Sequence, residues 1–369
     1  MEKESSQAER GQVVIIMVFA LVGLLVITGL AIDGGTVFFE RRSMQNAADA
    51  SALAGARELS NAICGGKSAP ATDAAVFAAV NEYSRRNGAG GFEASYTRFE
   101  GNSVVEYSPR VLVGSGMVPA GASGVAVTAT ITRSTFFMTL IGIHESSASA
   151  YALAVTGPPL MAGGLRPFGV PVQLMQQTSP GDVFAIDFDN NGGTIRWASE
   201  VAQHRGWMNL GYMWNQGEQS AGWPRAIDES AGANVIKVWM VNGWDGPPIY
   251  ADCIGCRWGD YIHAKPGSNA SAVCQAPRDT LFYIPVYDAV LDCPTEVPAP
   301  KAPCPHQGSS YVYHIVGFAG IKITDCDQGK KEITAELVRS LLGEGVPLPN
   351  SGFGSDACYG DTMVVTLWK

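Results

Sequence analysis

An uncharged run of 20 residues near the N-terminus, from Val13 to Ile32, constrains this chain more than any other feature of its sequence. A transmembrane helix needs about 20 consecutive apolar residues, and within a bilayer a lone segment satisfies its backbone hydrogen bonds only as a helix. The alternative is a cleaved signal peptide, which has a shorter apolar core and a small-residue cleavage motif. Because the run is long and no A-x-A motif follows it, the sequence favours one retained membrane-spanning helix at 13–32.

The cysteines, rather than the flanking charges, indicate the orientation of this span. Lys3 and Arg10 precede it, and Arg41 and Arg42 follow it, so the positive-inside rule gives nearly a tie. The chain contains eight cysteines, almost all in its last third. Such an even, clustered set is typical of disulfides in an oxidising compartment. We therefore expect residues 1–12 to be cytoplasmic and the bulk of the chain to be extracytoplasmic.

Composition excludes one class of partner and favours a β-rich protein outside the cytoplasm. The net charge is −9, whereas nucleic-acid binding requires clustered Lys and Arg, so no nucleic-acid partner is expected. Charged residues make up only 16 % of the chain, against roughly 25 % in a typical soluble domain. The predicted membrane span at 13–32 makes the lipid bilayer the first expected partner.

The rest of the chain divides into two units of an α+β protein. Residues 33–157 are predicted to form a small α+β module, in which an Ala-rich helix extends the membrane span and a second helix covers about Thr72 to Arg86. Gly157-Pro158-Pro159 is the best boundary, and residues 158–369 indicate a Cys- and Trp-rich, mainly β external domain. One helix is expected there, at Ile333–Leu342. The expected strands are Val183–Phe188, Thr194–Trp197, Val235–Val241, Thr280–Val286, Tyr311–Ile323 and Met363–Trp368.

The Ala-rich helix carries small residues at helical spacing. Ala48, Ala52 and Ala56 recur at i, i+4 and therefore share one face. Small residues allow a second helix to approach closely. A partner helix and the module's own core are equally consistent with this pattern, and the partner surface is the sharper hypothesis.

These N-terminal features resemble those of the TadE/TadG-like proteins of the tight-adherence (Tad, or Flp) pilus system. The matching residues are Gly11-Gln12, Asp33, Arg41, Arg42 and the run QNAADASALAGA at 45–56. The resemblance implies a membrane-anchored accessory or minor pilin-like protein that acts without catalysis, with other Tad assembly proteins or pilin as partners. Pilin leaders are cut after a Gly, and the mature chain then carries Glu at its fifth position. Cleavage after Gly11 would place Ile16 there, which argues for an intact anchor.

The cysteines are predicted to form structural disulfides. Cys293 and Cys304 bracket a Pro-rich loop and are the first predicted pair, and Cys326 with Cys358 is the second. The remaining candidates are Cys253, Cys256 and Cys274. Because Cys253 and Cys256 form a C-x-x-C motif, a zinc site and a redox site remain as lesser alternatives.

One loop has the spacing of a calcium site. Asp187, Asp189 and Asn191 alternate ahead of Gly192, which would gather oxygen ligands around a hard cation. The twelfth position is Ala198 rather than Glu, so an EF-hand is excluded. A polar hairpin turn is the competing interpretation, because Asn-Gly is a strong turn signal.

Tryptophans are concentrated between Trp197 and Trp258. Large rings usually fill a β core, but exposed rings beside Asp and Asn can stack on sugars. The alternative function is therefore a cell-surface adhesin or carbohydrate-binding protein with a sugar ligand. No nucleophile elbow of the type G-x-S-x-G and no complete metal-ligand motif occurs, so an enzyme is not expected.

Overall fold

The computed structural model describes eleven ranges of the chain, and the fold is given for these residues. They are 6–101, 103–188, 206–211, 232–246, 248–252, 260–265, 272–292, 311–342, 345–349, 351–355 and 359–368.

One long helix dominates the N-terminal part. The helices are α1 (Ser6–Ile63), α2 (Ala69–Arg86), α3 (Val172–Gln177) and α4 (Ala233–Asn242). At 1.5 Å per residue, the 58 residues of α1 span about 87 Å. The helix continues through Gly34 and Gly35, so the apolar run and the Ala-rich motif lie on a single rod. It ends before a turn in which Gly66 has φ of 62°, a conformation that favours glycine.

Most other elements are strands. In chain order they are β1 (Gly91–Glu100), β2 (Ser103–Glu106), β3 (Gly124–Ser134), β4 (Glu145–Gly157), β5 (Met161–Ala162), β6 (Val170–Pro171), β7 (Val183–Asp187), β8 (Ile249–Tyr250), β9 (Tyr261–His263), β10 (Leu281–Asp292), β11 (Tyr311–Asp327), β12 (Glu332–Leu337), β13 (Ser340–Leu342) and β14 (Thr362–Leu367). Short 3-10 turns lie at Met138–Ile141 and Val273–Gln275.

The first sheet has the order β13-β14-β4-β3-β1-β2. Its central pair, β3 and β4, is antiparallel over the full length of β3, from Gly124↔Val155 to Ser134↔Glu145. The second half of α1 packs on β3, β4 and β14 and also contacts α2. A hydrophobic core that includes Leu59, Val80 and Tyr96 fills the space between the helices and the sheet. The Ala-rich helix and this sheet form the expected α+β module.

The second sheet has the order β6-β10-β11-β12-β7, with β9 paired to β11. Its long antiparallel pair runs from Leu281↔Lys322 to Asp292↔Tyr311. A separate and larger hydrophobic core lies against it, with Phe168, Trp207 and Phe318 among its fully buried rings. The mainly β character expected of this part of the chain is therefore correct for the described residues.

The extent of 158–369 predicted for the external domain requires correction. Strand β14 does not join the second sheet but pairs with β4, with Val364 opposite Gly157 and Leu367 opposite Ala154. Strand β13 lies parallel to β14 at the edge of the same sheet. The second sheet is thus formed by residues between two parts of the first one. Sequence patterns could not show this because strand pairing over such separations leaves no local signal.

Two predicted elements have the wrong type. Val235–Val241 was expected as a strand but lies in α4, whose buried Ile236, Trp239 and Met240 follow helical spacing. Ile333–Leu342 was expected as a helix but contributes to β12 and β13. Strand β12 pairs with β11 and β7, and its buried Ile333, Ala335 and Leu337 alternate with partly exposed neighbours because successive side chains of a strand point to opposite faces. Short apolar runs fit both periods, and tertiary pairing decides between them.

Candidate functional site

The first part of α1 is almost bare of protein contacts. Its apolar side chains are exposed on all sides, as shown by Ile16 at 68 % and Ile27 at 70 % exposure. This is the one described helix long and apolar enough to cross a membrane. An apolar surface of this size is stable only when a bilayer or another apolar partner covers it. The helix is consistent with a single membrane anchor.

The Ala face at 48, 52 and 56 is not a free surface. Ala48, Ala52 and Ala56 are each 0 % exposed and belong to the core between α1 and the first sheet. Gly55 explains how closely the elements approach, because a Cβ added there would lie 2.8 Å from Val80 Cγ2 on α2. The interpretation of these alanines as a partner-helix face is therefore wrong. The small residues serve the module's own packing.

The side of α1 that remains exposed carries different residues. Arg42, Asn46 and Arg57 are exposed and project at similar angles around the helix, because 3.6 residues make one turn. Ala50 and Leu53 lie partly exposed between them. We call Arg42, Asn46 and Arg57 the exposed strip.

Asp33 connects the anchor to the folded module. It follows the apolar run directly and is 1 % exposed. Its carboxylate accepts hydrogen bonds from the backbone N–H groups of Phe136, Phe137 and Met138, at 3.1, 2.9 and 2.7 Å. These groups begin the 3-10 turn in the loop between β3 and β4, where N–H groups have no partner within the turn. Asp33 thus caps that turn and fixes the loop to the helix.

Gly29 provides the second contact, one helical turn earlier. A Cβ added at Gly29 would lie 2.7 Å from Cβ of Phe137, so only glycine permits this approach. Further toward the C-terminus of α1, Arg133 Nε lies 3.4 Å from Glu40 Oε1. Strand β3 therefore runs alongside α1, with its end near Gly29 and Asp33.

A second polar cluster lies in the other sheet. His314 on β11 is hydrogen-bonded through Nδ1 to Asp288 Oδ1 on β10 at 2.7 Å, and through Nε2 to Asp260 Oδ2 at 3.1 Å. Its ring also lies 4.8 Å from the ring of Tyr261 on β9. Burial alone would lower the pKa of His314, but the hydrogen bonds and negative charges of the two aspartates raise it to about 9.

This geometry favours a structural ion cluster. The ligand atoms of Asp252, Asp260 and His314 lie within 4.8 Å of one another, as in a metal site. Both ring nitrogens of His314 are hydrogen-bonded to carboxylates, and the negative charges of Asp260 and Asp288 favour its protonated form by raising its pKa to about 9. The cluster therefore holds β9, β10 and β11 together.

The pKa shift predicts the pH dependence of stability. The folded pKa of about 9 exceeds the ordinary value of 6.5, so the stabilisation is complete below about pH 6.5 and is lost as pH rises through 9. Its size is about 3 kcal/mol, at 1.36 kcal/mol per pKa unit. Unfolding in detergent between pH 7 and 10 measures this loss, and His314→Gln serves as the non-titrating control. Equal pH dependence in both proteins would contradict the assignment.

The structure describes only the first of the three predicted calcium ligands. Asp187 ends β7, pairing with Glu332 of β12, whereas Asp189 and Asn191 lie outside the described residues. The calcium hypothesis therefore stays a prediction.

The described tryptophans of the Trp-rich region are buried. Trp207, Trp239 and Trp244 are 0, 5 and 3 % exposed. Trp207 stacks on Phe188 with centroids 4.5 Å apart, and Trp239 meets Trp244 edge-on at 5.0 Å. These rings fill the second core and offer no sugar-binding surface; Trp197, Trp214, Trp223 and Trp258 lie outside the described residues.

One disulfide is defined between described residues, and it differs from the predicted pairing. Cys326 bonds to Cys274, with 5.6 Å between the Cα atoms, so its predicted pairing with Cys358 is wrong. Cys64 is also disulfide-bonded. The others, Cys253, Cys256, Cys293, Cys304 and Cys358, lie outside the described residues. The sequence could not show that Cys274 is the partner of Cys326, because a 3-10 turn, rather than a strand, brings Cys274 beside β11.

The polar contacts made by Asp33 and His314 were missed by sequence reasoning. The sequence motif includes Asp33 but carries no sign that its carboxylate caps a distant turn. Asp260, Asp288 and His314 are distant in sequence, and the only local signal was a histidine within the alternating strand YVYHIV.

Comparison with known proteins identifies the N-terminal part. Residues 11–58 match the family model Tad, described as putative Flp pilus-assembly TadE/G-like. No curated protein and no solved structure matches the chain. The matched range contains the apolar run, Asp33, the buried alanines and the whole exposed strip. Residues 11–58 therefore form a TadE/G-like domain of Flp pilus assembly.

Proposed function

We propose that this chain is a membrane-anchored accessory or minor pilin-like protein of Tad/Flp pilus biogenesis and that it acts without catalysis. The observation that carries the proposal is the match of residues 11–58 to the Tad family. The same residues form a helix that is apolar and exposed at one end and embedded in a folded module at the other. Such a helix can anchor the module and transmit its position to partners in the membrane.

We place the N-terminus in the cytoplasm and the folded bulk outside it. The support is the disulfide between Cys274 and Cys326, because such bonds persist in oxidising compartments. The intact apolar run is the membrane anchor in this arrangement, and both sheets are displayed on the far side.

The exposed strip replaces the alanine face as the proposed surface for assembly partners. Arg42, Asn46 and Arg57 all lie within the matched residues and remain accessible. Their side chains can form ion pairs and hydrogen bonds with another protein. Because they are exposed, their removal leaves the core intact, and surface substitutions usually change stability by less than about 0.5 kcal/mol.

Complementation of a deletion in a pilus-forming cell tests this function. We expect Arg42→Ala/Asn46→Ala to accumulate normally in the membrane but to restore fewer surface pili than the unaltered chain. Arg85→Ala, an exposed arginine on α2 outside the matched residues, is the matched control and should restore pili fully. Full restoration by the double variant would refute the role of the exposed strip. Pili that form normally without the gene would refute the function itself.

A further inference from the structure

The loop between β3 and β4 exposes an unusual number of apolar side chains. Phe136 is 72 %, Leu140 is 85 % and Ile143 is 46 % exposed. Three large apolar residues within one short loop would be unfavourable in water. These side chains stay exposed although the loop that carries them is held to α1.

The contacts with α1 determine the level of this loop relative to the membrane. Phe137 packs on Gly29, which belongs to the apolar run. With a rise of 1.5 Å per residue, Gly29 lies about 4–5 Å inside the end of that run at Ile32. If 13–32 spans the bilayer, as the proposed function requires, the loop meets the boundary between the hydrocarbon and the headgroups.

The backbone of the loop is suited to a water-poor environment. Lipid tolerates irregular backbone only where its polar groups are satisfied. Asp33 accepts the N–H groups of 136, 137 and 138. The N–H groups of 135, 140, 142 and 143 bond to carbonyls within the loop, at 3.0–3.1 Å. The loop therefore needs little water to complete its hydrogen bonds.

Two phenylalanines on α1 extend the apolar surface around the helix. Phe38 and Phe39 are 77 and 72 % exposed and precede Glu40, Arg41 and Arg42. At about 100° per residue they lie on other sides of the helix than Gly29 and Asp33. Helical side chains lean toward the N-terminus, so both rings point back toward the membrane.

We propose that the loop 135–144 inserts into the interfacial region of the membrane leaflet next to the folded module. It forms a second membrane contact beside the span. Asp33 holds the loop in place, while Phe136 and Leu140 enter the lipid. Because two contacts restrict rotation and tilt, the first sheet is held with β3 and β4 rising from the bilayer. This inference rests on the proposed membrane anchoring but does not depend on a role in pili.

Photo-crosslinking in phosphatidylethanolamine–phosphatidylglycerol vesicles tests this placement. A benzophenone amino acid replaces Leu140 in the full chain, and the matched control carries it at Leu112, a leucine that is 45 % exposed. Leu112 forms an isolated β-bridge with Ser95 of β1, and Ser95 pairs with Ala126 of β3. The stretch of β3 from Ala126 to Ser134 spans about 27 Å. We expect a yield of phospholipid adducts about tenfold higher at Leu140 than at Leu112, since only the former reaches the lipid.

Two further variants distinguish a failure of the loop insertion from a failure of the membrane anchor. The same amino acid at Ile27, within the run, reports whether the span itself is in the bilayer. Adducts at Ile27 without adducts at Leu140 would overturn the loop insertion while the anchor stands, and no adducts at Ile27 would overturn the anchor. Crosslinks from Leu140 to a second copy of the chain would also overturn the proposal. With Asp33→Ala, adducts at Leu140 should fall severalfold while those at Ile27 persist.

Discussion

Ala52→Phe is expected to prevent the accumulation of folded protein. Ala52 is 0 % exposed and lies on α1 against the first sheet. A phenyl ring has no space there unless the helix and sheet separate. Overpacking of a core usually costs about 1–3 kcal/mol and occasionally more, which is a large part of the about 5–15 kcal/mol that stabilises a typical protein. The close contacts around Gly55 leave the helices little freedom to adjust.

The matched control is Ala78→Phe on α2, where the alanine is exposed. It makes the same chemical change in a helix without entering the core, so abundance should remain normal. Quantification of both variants in membrane fractions, together with limited proteolysis, measures the effect. Normal abundance of Ala52→Phe with lost pilus assembly would contradict the packing shown here and restore the alanines as a partner surface.

Loss of the disulfide between Cys274 and Cys326 is expected to destabilise the second sheet strongly. The two residues are 52 positions apart in sequence, and closing a loop of this length stabilises by about 4 kcal/mol in the chain-entropy model. The bond attaches the turn at Val273–Gln275 to β11, the strand that pairs with β9, β10 and β12.

Cys274→Ser/Cys326→Ser should therefore unfold at a clearly lower denaturant concentration than the unaltered chain. Thr324→Ser, an exposed and conservative change on the same strand, controls for replacements on β11. Tryptophan fluorescence follows this unfolding, because Trp207, Trp239 and Trp244 are buried in the second core. An unchanged midpoint in the double variant would show that the bond adds no stability.

Local patterns predicted the N-terminal half of the structure well. The run Val13–Ile32 and the alanines at 47–56 both belong to one helix, because length and helix propensity are properties of contiguous residues. The strand predicted at Tyr311–Ile323 was also correct within its bounds. Each of these signals needs only a short window of sequence.

Contacts between distant residues could not be predicted in the same way. The alanine pattern indicated a packed face but not its partner, and the partner is the chain's own sheet. Asp33 meets the loop at 136–138 only because β3 returns alongside α1. The three residues of the His314 cluster come from separate segments, and β14 joins β4 across two hundred residues of chain. Such relations arise from topology, which local periodicity does not encode.

Surface pilin after deletion of the gene is the measurement that tests the central claim most directly. In a cell that assembles Flp pili, pilin sheared from the surface is quantified in the parent, the deletion strain and a strain complemented with the intact chain. Because residues 11–58 form a TadE/G-like domain, we predict that deletion reduces surface pilin while total pilin remains in the cell, and that complementation restores it. Unchanged surface pilin in the deletion strain would contradict a role in pilus assembly.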